Sequence, residues 1–530
     1  MIPEIEDSEP PAEPARGGWG GWLLIFLLFL GLRLPRLGIE LCLKMDAANA
    51  CNSVFAQSVA SNHPAARWFC PEDYRDQIEK LRGGRPALYR HFPPLAFVPL
   101  GLASALFGPD EAVLRGFSIA MASLMLLAAF LFLRRLAGVP TALLGVFLIA
   151  ACGQAVHYHR IADSLIINSF FLPLLGWLYL RQRDAPSPGR EAVLMMVALF
   201  ACLSDWNAYG VVGALALHRL CFRASDKLRA ALILAAAVPL ALVAAVAYFS
   251  LASGGFFPLL ADFRAAVGPR VAFPMGPVFF QEIARTFMNY TPLFALAPLL
   301  WLLSALRVPA ATRARAALPL FLLAGALVFP AFTRRVTFVH EYWTIWMLVP
   351  LATCAAGILL WLWRHGTAAR VLAALALFAF LAQSAIIIQH RLFKYDSDYL
   401  LARHQGKTWR SLPEGAAGGL LITDLSDQLQ ILQYYSRARV LACVAGLEDL
   451  LKYEAAFRAS GRREPLVFMT ATATDILEAI PELRRYPHAK LTGEFNLREA
   501  PGDGLWTYLE SRYPLKRRVG PYTLFILPPP

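Results

Sequence analysis

The sequence predicts an all-α polytopic membrane protein with about eleven transmembrane helices, a large first outer loop with juxtamembrane helices, and a small outer C-terminal α/β domain. Three observations carry this. The 530 residues are 57% hydrophobic and 16% charged, with a mean hydropathy of +0.49, whereas an ordinary soluble chain is about 25% charged. Apolar segments of near-membrane length recur up to residue 388, each closed by polar or basic residues. Beyond that point short apolar runs alternate with helix-like stretches, a β–α pattern. The net charge of +13 lies at segment edges and not in a tract, so the partner it implies is the lipid bilayer and not nucleic acid.

Residues 1–19 are Pro- and Glu-rich as far as Ala15 and are expected to form a disordered cytoplasmic tail. Residues 21–34 resemble a signal-peptide core, but no small-x-small cleavage site follows, so a retained first helix is expected. Spans are predicted over 20–36, 115–133, 139–157, 164–180, 191–205, 208–222, 230–251, 291–306, 316–332, 343–363 and 370–388. Residues 92–108 hold Pro93, Pro94 and Pro99, so they are expected to lie at the interface or dip into it. Residues 252–290 mix Gly-Gly and Gly-Pro pairs with phenylalanines and read as a re-entrant loop, or one laid on the bilayer, covering a lipid site.

Residues 20–388 therefore form the membrane domain and 389–530 the outer domain. In the outer domain, Gly419–Thr423, Val440–Ala445 and Leu466–Met469 read as strands, and Asp427–Tyr435 and Leu447–Ala459 as helices. No glycine spacing there matches a phosphate loop. Cys42, Cys51 and Cys70 share the first loop, where one disulfide and three free thiols are both open.

Charge assigns the sides. With 92–108 not crossing, Arg134/Arg135, Arg181/Arg183/Arg190, Arg219/Arg223/Lys227/Arg229, Arg307/Arg313/Arg315 and Arg364/Arg370 share one face. They outnumber Arg160, Arg264, Arg270, Arg285, Arg334 and Arg335 in the opposite loops, so the positive-inside bias puts the N-terminus in the cytoplasm and the C-terminal domain outside. Arg33 and Arg36 close the first helix on the outer side, against this bias, and are expected to snorkel.

The same topology brings the polar clusters to one face. Asp46 opens an amphipathic stretch, where its carboxylate is either a helix cap or a base. Tyr89, Arg90 and His91 precede a rigid Pro93-Pro94 bend; they offer an interfacial anchor, a bidentate fork and a proton, though a plain interfacial belt has the same composition. His157, His159, Arg160 and Asp163 crowd one inter-span turn, where charges need water, a ligand or one another. An Arg160–Asp163 pair locking that turn is the plain alternative, and two histidines two apart are a weak metal signal. Asp205 beside Trp206 and Tyr209 suits a sugar hydroxyl under an aromatic face, or marks the interface. Arg334 and Arg335, followed by His340, Glu341 and Tyr342, suit a phosphate and an acceptor, or an Arg–Glu pair among interfacial aromatics.

If these clusters converge, they line an outward-opening cavity with a carboxylate near cations. That arrangement suits transfer from a lipid phosphate carrier, because the departing phosphate gains charge and needs cations beside it. Asp46 is then the catalytic base. Arg90, His91, Arg160, Arg334 and Arg335 are assigned to the donor phosphate, and Tyr89, His159, Asp163, Asp205, Trp206, His340, Glu341 and Tyr342 to the substrates. No cofactor is called for, and a divalent cation stays open. The absence of an internal repeat disfavours a transporter.

The order of these motifs resembles the C-type membrane glycosyltransferase superfamily, in particular the bacterial protein O-mannosyltransferase-like branch that includes the enzyme adding aminoarabinose to lipid A. The residues that carry it are the first helix, the loop with Asp46, Tyr89 to Leu95, Phe107-Gly108, Arg115, Arg160 with Asp163, Asp205-Trp206 and His340 to Trp343, over about residues 20–390. The resemblance implies a polyprenyl-phosphate sugar donor, a periplasmic reaction at the bacterial inner membrane, and inversion at the anomeric carbon. The acceptor would be a lipid, a glycan or a protein. The resemblance also matches Asp46 to the catalytic acid/base and His91 to the turn that holds the donor phosphate. Where the family has a second carboxylate, or a Lys in that turn, this chain has Ala47 and Arg90-His91. A flippase or transporter for a lipid-linked glycan and a structural membrane subunit presenting the outer domain are the competing readings.

Overall fold

The computed structural model describes residues 18–38, 93–222, 227–253, 290–333, 341–389, 404–412, 420–424, 432–435, 440–461, 463–485 and 504–528, apart from 405, 433 and 445, and a few positions between 255 and 284. Six helical segments among them are long and apolar enough to cross a membrane: Glu111–Ala151, Ser164–Asp184, Leu228–Leu251, Thr312–Phe332, Thr344–Arg364 and Gly366–Ile388. The other predicted spans fall on shorter helices, Trp19–Arg33, Pro188–Ser204, Asn207–Phe222 and Pro292–Ala305. Within the 92–108 stretch, Val98–Phe107 is helical. The tail, the cysteines of the first loop and most of 252–290 lie outside the described residues.

Two predicted spans, 115–133 and 139–157, share the Glu111–Ala151 helix, which breaks at Gly138 (φ 85°, ψ 175°), a backbone conformation that favours glycine. Leu133 lies against Gly145, whereas in an unbroken helix these positions would be about 18 Å apart. The chain therefore folds back on itself at Gly138. The Trp19–Arg33 helix packs on both arms of this reversal: Trp19 meets Phe130 edge-on with ring centroids 5.3 Å apart, and Gly21 sits against Leu143.

Burial separates central from peripheral helices. Thr344–Arg364 is largely enclosed, with Leu348, Ala352, Cys354 and Ala355 inaccessible. Gly366–Ile388 exposes Val371, Leu372, Leu375, Phe378 and Ile386, a surface suited to acyl chains. The Asn207–Phe222 and Ala310–Phe332 helices cross at Gly210 and Gly325, where each glycine lies against the other's backbone. Such small-residue crossings let membrane helices approach closely where no hydrophobic force drives them together.

The described residues divide into two compact units. The helices above, from Arg115 onward, belong to the first with Pro93–Pro99 and the N-terminal helix; the second holds Leu100–Leu114 and the residues from 404 on. In the second unit a five-stranded sheet has the order β2-β1-β3-β5-β4, with β1 Leu420–Thr423, β2 Val440–Cys443, β3 Leu466–Thr470, β4 Leu515–Val519 and β5 Tyr522–Leu527. β1 runs parallel to both neighbours, with Leu420 facing Val440 and Leu466, while β5 is antiparallel to β3 and β4. The Leu447–Ala459 and Gly504–Arg512 helices close a core of Leu420, Ile422, Phe457, Leu466, Phe468 and Phe525.

Strands appear at the three positions that the alternating pattern predicts, and Leu447–Ala459 is the predicted helix; of Asp427–Tyr435 only Leu432, Tyr434 and Tyr435 are described, as helical. The β4–β5 hairpin is an addition. Its edge strand reads Leu-Lys-Arg-Arg-Val and is mostly exposed, so hydrophobic alternation does not reveal it. Lys516, Arg517 and Arg518 suit an edge, where basic side chains discourage pairing with another chain. Also in this unit, the Glu111 carboxylate accepts from Arg410 and from the Tyr435 hydroxyl, and Tyr434 donates to the Pro109 carbonyl.

Candidate functional site

The site is built around the turn after the folded-back helix. Cys152 is extended, Gly153–Tyr158 adds a short helix, and His159 to Asp163 lead into Ser164–Ile167. Asp163 takes an extended conformation and its Oδ1 accepts from Leu165 N at 2.8 Å, capping the next helix. Ser118 Oγ donates to Ile161 O at 2.8 Å, fixing the middle of the turn.

His159 is fully buried, and its Nδ1 accepts from Arg33 Nε at 3.1 Å. The imidazole proton therefore sits on Nε2. Burial, and then the Arg33 charge, hold His159 well below the usual histidine range, so the ring is neutral. Arg33 also donates to Ala150 O at 2.9 Å, and its guanidinium lies 3.8 Å from the Phe29 ring centroid. Arg33 thus stays inside, where snorkelling was expected of it. A guanidinium can stay inside because backbone carbonyls, an imidazole and an aromatic face replace its water.

Arg160 Nη2 donates to Arg36 O at 2.8 Å, and Arg115 Nη1 to Leu37 O at 3.0 Å. Both arginines are buried, and together they hold the first residues of the loop that continues to Asp46. Arg36 has φ 58°, a left-handed conformation uncommon for a non-glycine residue, so the clamp holds strained backbone.

Three other segments meet this turn. Trp346 Nε1 donates to Leu165 O at 2.8 Å, tying the 3-10 stretch Glu341–Met347 to the Asp163 cap. Asn168 Nδ2 donates to Ser204 O at 3.2 Å, and Leu95 N donates to Leu203 O at 2.9 Å, so the Pro93-Pro94-Leu95 bend joins the Asp205 turn. Thr344 Oγ1 donates to Tyr290 OH at 3.1 Å, and Tyr290 stands edge-on to Tyr158.

Asp205 is fully buried; its Oδ1 accepts from Asn207 N at 2.8 Å and Asn207 Nδ2 at 3.1 Å. Asp163 lies within electrostatic reach of it. Trp206 packs against Tyr209 with ring centroids 5.4 Å apart. Among the described residues no group of three or more His, Cys, Asp or Glu side chains gathers in a metal-binding arrangement.

Of the predicted site residues, His159, Arg160, Asp163, Asp205 and Trp206 thus come together on linked segments, and the backbone of Glu341 and Tyr342 belongs to the stretch that Trp346 ties in. Asp46, Tyr89, Arg90, His91, Arg334, Arg335 and His340 lie outside the described residues. Sequence reasoning gave no role to Asn168, Asn207, Thr344 or Trp346. Arg33 carried a signal, as a charge closing an apolar helix on the disfavoured side.

The fold is shared with solved structures of ArnT and of an archaeal oligosaccharyltransferase. ArnT from Cupriavidus metallidurans, bound to undecaprenyl phosphate, matches with a TM-score of 0.58 at 14% identity, over 97% of this chain and 98% of that one. The archaeal oligosaccharyltransferase AglB from Archaeoglobus fulgidus, in complex with an inhibitory peptide and a dolichol-phosphate, matches with a TM-score of 0.57 at 13% identity, over 86% of this chain and 69% of that one. At these identities the likeness is one of fold. No protein-family profile and no curated protein matches the chain.

Proposed function

We propose that the chain is a membrane glycosyltransferase that moves a sugar from a polyprenyl-phosphate donor to a lipid, glycan or protein acceptor at the periplasmic face of a bacterial inner membrane, with inversion. The observation that carries this is the meeting of the 157–168 turn, the Asp205 turn and the 341–347 stretch, three polar segments far apart in sequence, within a fold that two lipid-phosphate-bound neighbours share. The N-terminus is cytoplasmic in this reading, the chain crosses eleven times, and residues 389–530 form a periplasmic domain.

Asp46 takes the proton from the acceptor, whose freed lone pair forms the new bond to the anomeric carbon. The bond from that carbon to the phosphate oxygen breaks, and its electron pair leaves with the polyprenyl phosphate. Arg90, His91, Arg334 and Arg335 stabilise the charge that grows there. Arg160 adds its charge while holding Arg36, and so ties the base-bearing loop to the site. Asp163, Asp205, Trp206, His159 and the residues from His340 to Tyr342 shape the sugar and acceptor positions.

The test is incubation of purified protein with a panel of polyprenyl-phosphate sugars and mass analysis of candidate acceptors. Asp46→Asn is expected to abolish transfer while the protein still inserts and melts like wild type. Normal transfer by that variant would remove Asp46 from its role.

A further inference from the structure

Three polar atoms within the five residues of the Asp205 turn are buried without a hydrogen-bond partner among the described residues: Asp205 Oδ2, Asn207 Oδ1 and Tyr209 OH. Asp205 and Asn207 are wholly inaccessible. A buried polar atom left unpaired costs about 1–3 kcal/mol, so three such atoms on one turn call for a further group to satisfy them. The two bonds into Asp205 Oδ1 also orient the Asn207 amide, leaving its oxygen as an acceptor. The turn is held from two sides, by Leu95 on Leu203 and by Asn168 on Ser204, so the unsatisfied atoms sit on a fixed scaffold.

The chemistry of the set selects its ligand. Asn207 Oδ1 accepts, while the Tyr209 phenol and the Asp205 carboxyl oxygen can each accept or donate, so the set complements a group bearing neighbouring O–H or N–H donors. A phosphate, which only accepts, leaves the Asn207 oxygen unsatisfied. We propose that the Asp205–Tyr209 turn reads two adjacent hydrogen-bond donors on the transferred sugar, with Asn207 and Tyr209 as specificity-determining residues beside Asp205. This rests on the glycosyltransferase reading above.

The experiment uses the full chain in lipid nanodiscs and a panel of polyprenyl-phosphate sugars, with singly deoxy and amino-for-hydroxyl versions of the preferred donor and sugar-free polyprenyl phosphate as the control. Wild type is expected to favour the full sugar over one deoxy version by about tenfold or more, both in thermal shift and in transfer. Tyr209→Phe removes a hydroxyl that no described residue bonds, so its ligand-free melting temperature should equal or exceed that of wild type. Its preference should nonetheless collapse toward unity, with the shift from sugar-free polyprenyl phosphate unchanged. Asn207→Ser should lose the same preference, and the amino versions show whether the pair read is two hydroxyls or a hydroxyl and an amine.

If wild type selects among donors and both variants keep that selection, the orphan atoms hold only water and this assignment alone is overturned. If wild type responds to no sugar-bearing donor, the glycosyltransferase reading falls and this assignment falls with it. Should Asn207→Ser not fold, Tyr209→Phe decides by itself.

Discussion

Arg33 Nε donates to His159 Nδ1 at 3.1 Å across 126 positions of sequence, joining the end of the first helix to the turn at the centre of the candidate site. The bond fixes the histidine tautomer and keeps a guanidinium inside the protein. It also gives stability a pH dependence. With the His159 pKa lowered in the folded state, its contribution is present in full above the unfolded value near 6.5 and is lost as the pH falls from there toward the folded value. Melting in nanodiscs between pH 8 and pH 5 should show this loss, and His159→Gln, which cannot titrate, should reduce it. Arg33→Leu orphans the imidazole and the Ala150 carbonyl and should cost about 2–4 kcal/mol at any pH in that range.

Arg36 provides a second check. Glycine adopts φ 58° without strain, so Arg36→Gly should be tolerated better than Arg36→Val, which is branched at Cβ and should cost about 1–3 kcal/mol. Arg160→Gln loses the charge-assisted bond to the Arg36 carbonyl. Limited proteolysis of the residues after Leu37 should therefore speed up, and transfer should fall by about tenfold or more.

At the Gly210–Gly325 crossing, Gly325→Ala would place a Cβ 2.7 Å from the Gly210 carbonyl and 2.9 Å from Ala214 Cβ and Val211 Cα. The neighbours are largely backbone, so the two helices must separate. An overpacking loss of about 1–3 kcal/mol is expected in the thermal melt, with the reciprocal Gly210→Ala behaving alike.

In the sheet-bearing unit, buried Glu454 accepts from Tyr508 OH at 2.9 Å and Tyr513 OH at 2.8 Å. Glu454→Leu leaves the Tyr513 hydroxyl buried and unpaired, and should destabilise this unit by about 1–3 kcal/mol. Burial, and then the Glu454 charge, push the Tyr513 phenol above its usual range. Its contribution is therefore retained below about pH 10 and lost above it, and Tyr513→Phe should weaken that alkaline loss in a melting series.

Apolar runs, with the glycines and prolines that interrupt them, are local signals, and they placed helices where the chain has them. Even the break at Gly138 falls in the gap between two predicted spans. The parallel strands were legible because each is a short apolar run beside a helix; β4 was not, because a basic edge strand has no alternation to read. The polar clusters could also be recognised, since ionisable residues among membrane spans are costly and few. Their partners could not.

By itself the sequence determined which stretches are apolar enough to leave water, which side the charges favour, and where titratable groups stand between spans. Those properties depend on neighbours a few residues away. Only the tertiary structure decided that Arg33 would bond His159 instead of reaching for the interface, that Arg160 would hold Arg36, and that the Asp205 turn would keep three polar atoms without partners among the described residues. Each of these depends on which helix ends pack together, and hydrophobic periodicity carries no record of that, because one apolar helix face resembles another to the lipid and to its neighbours alike.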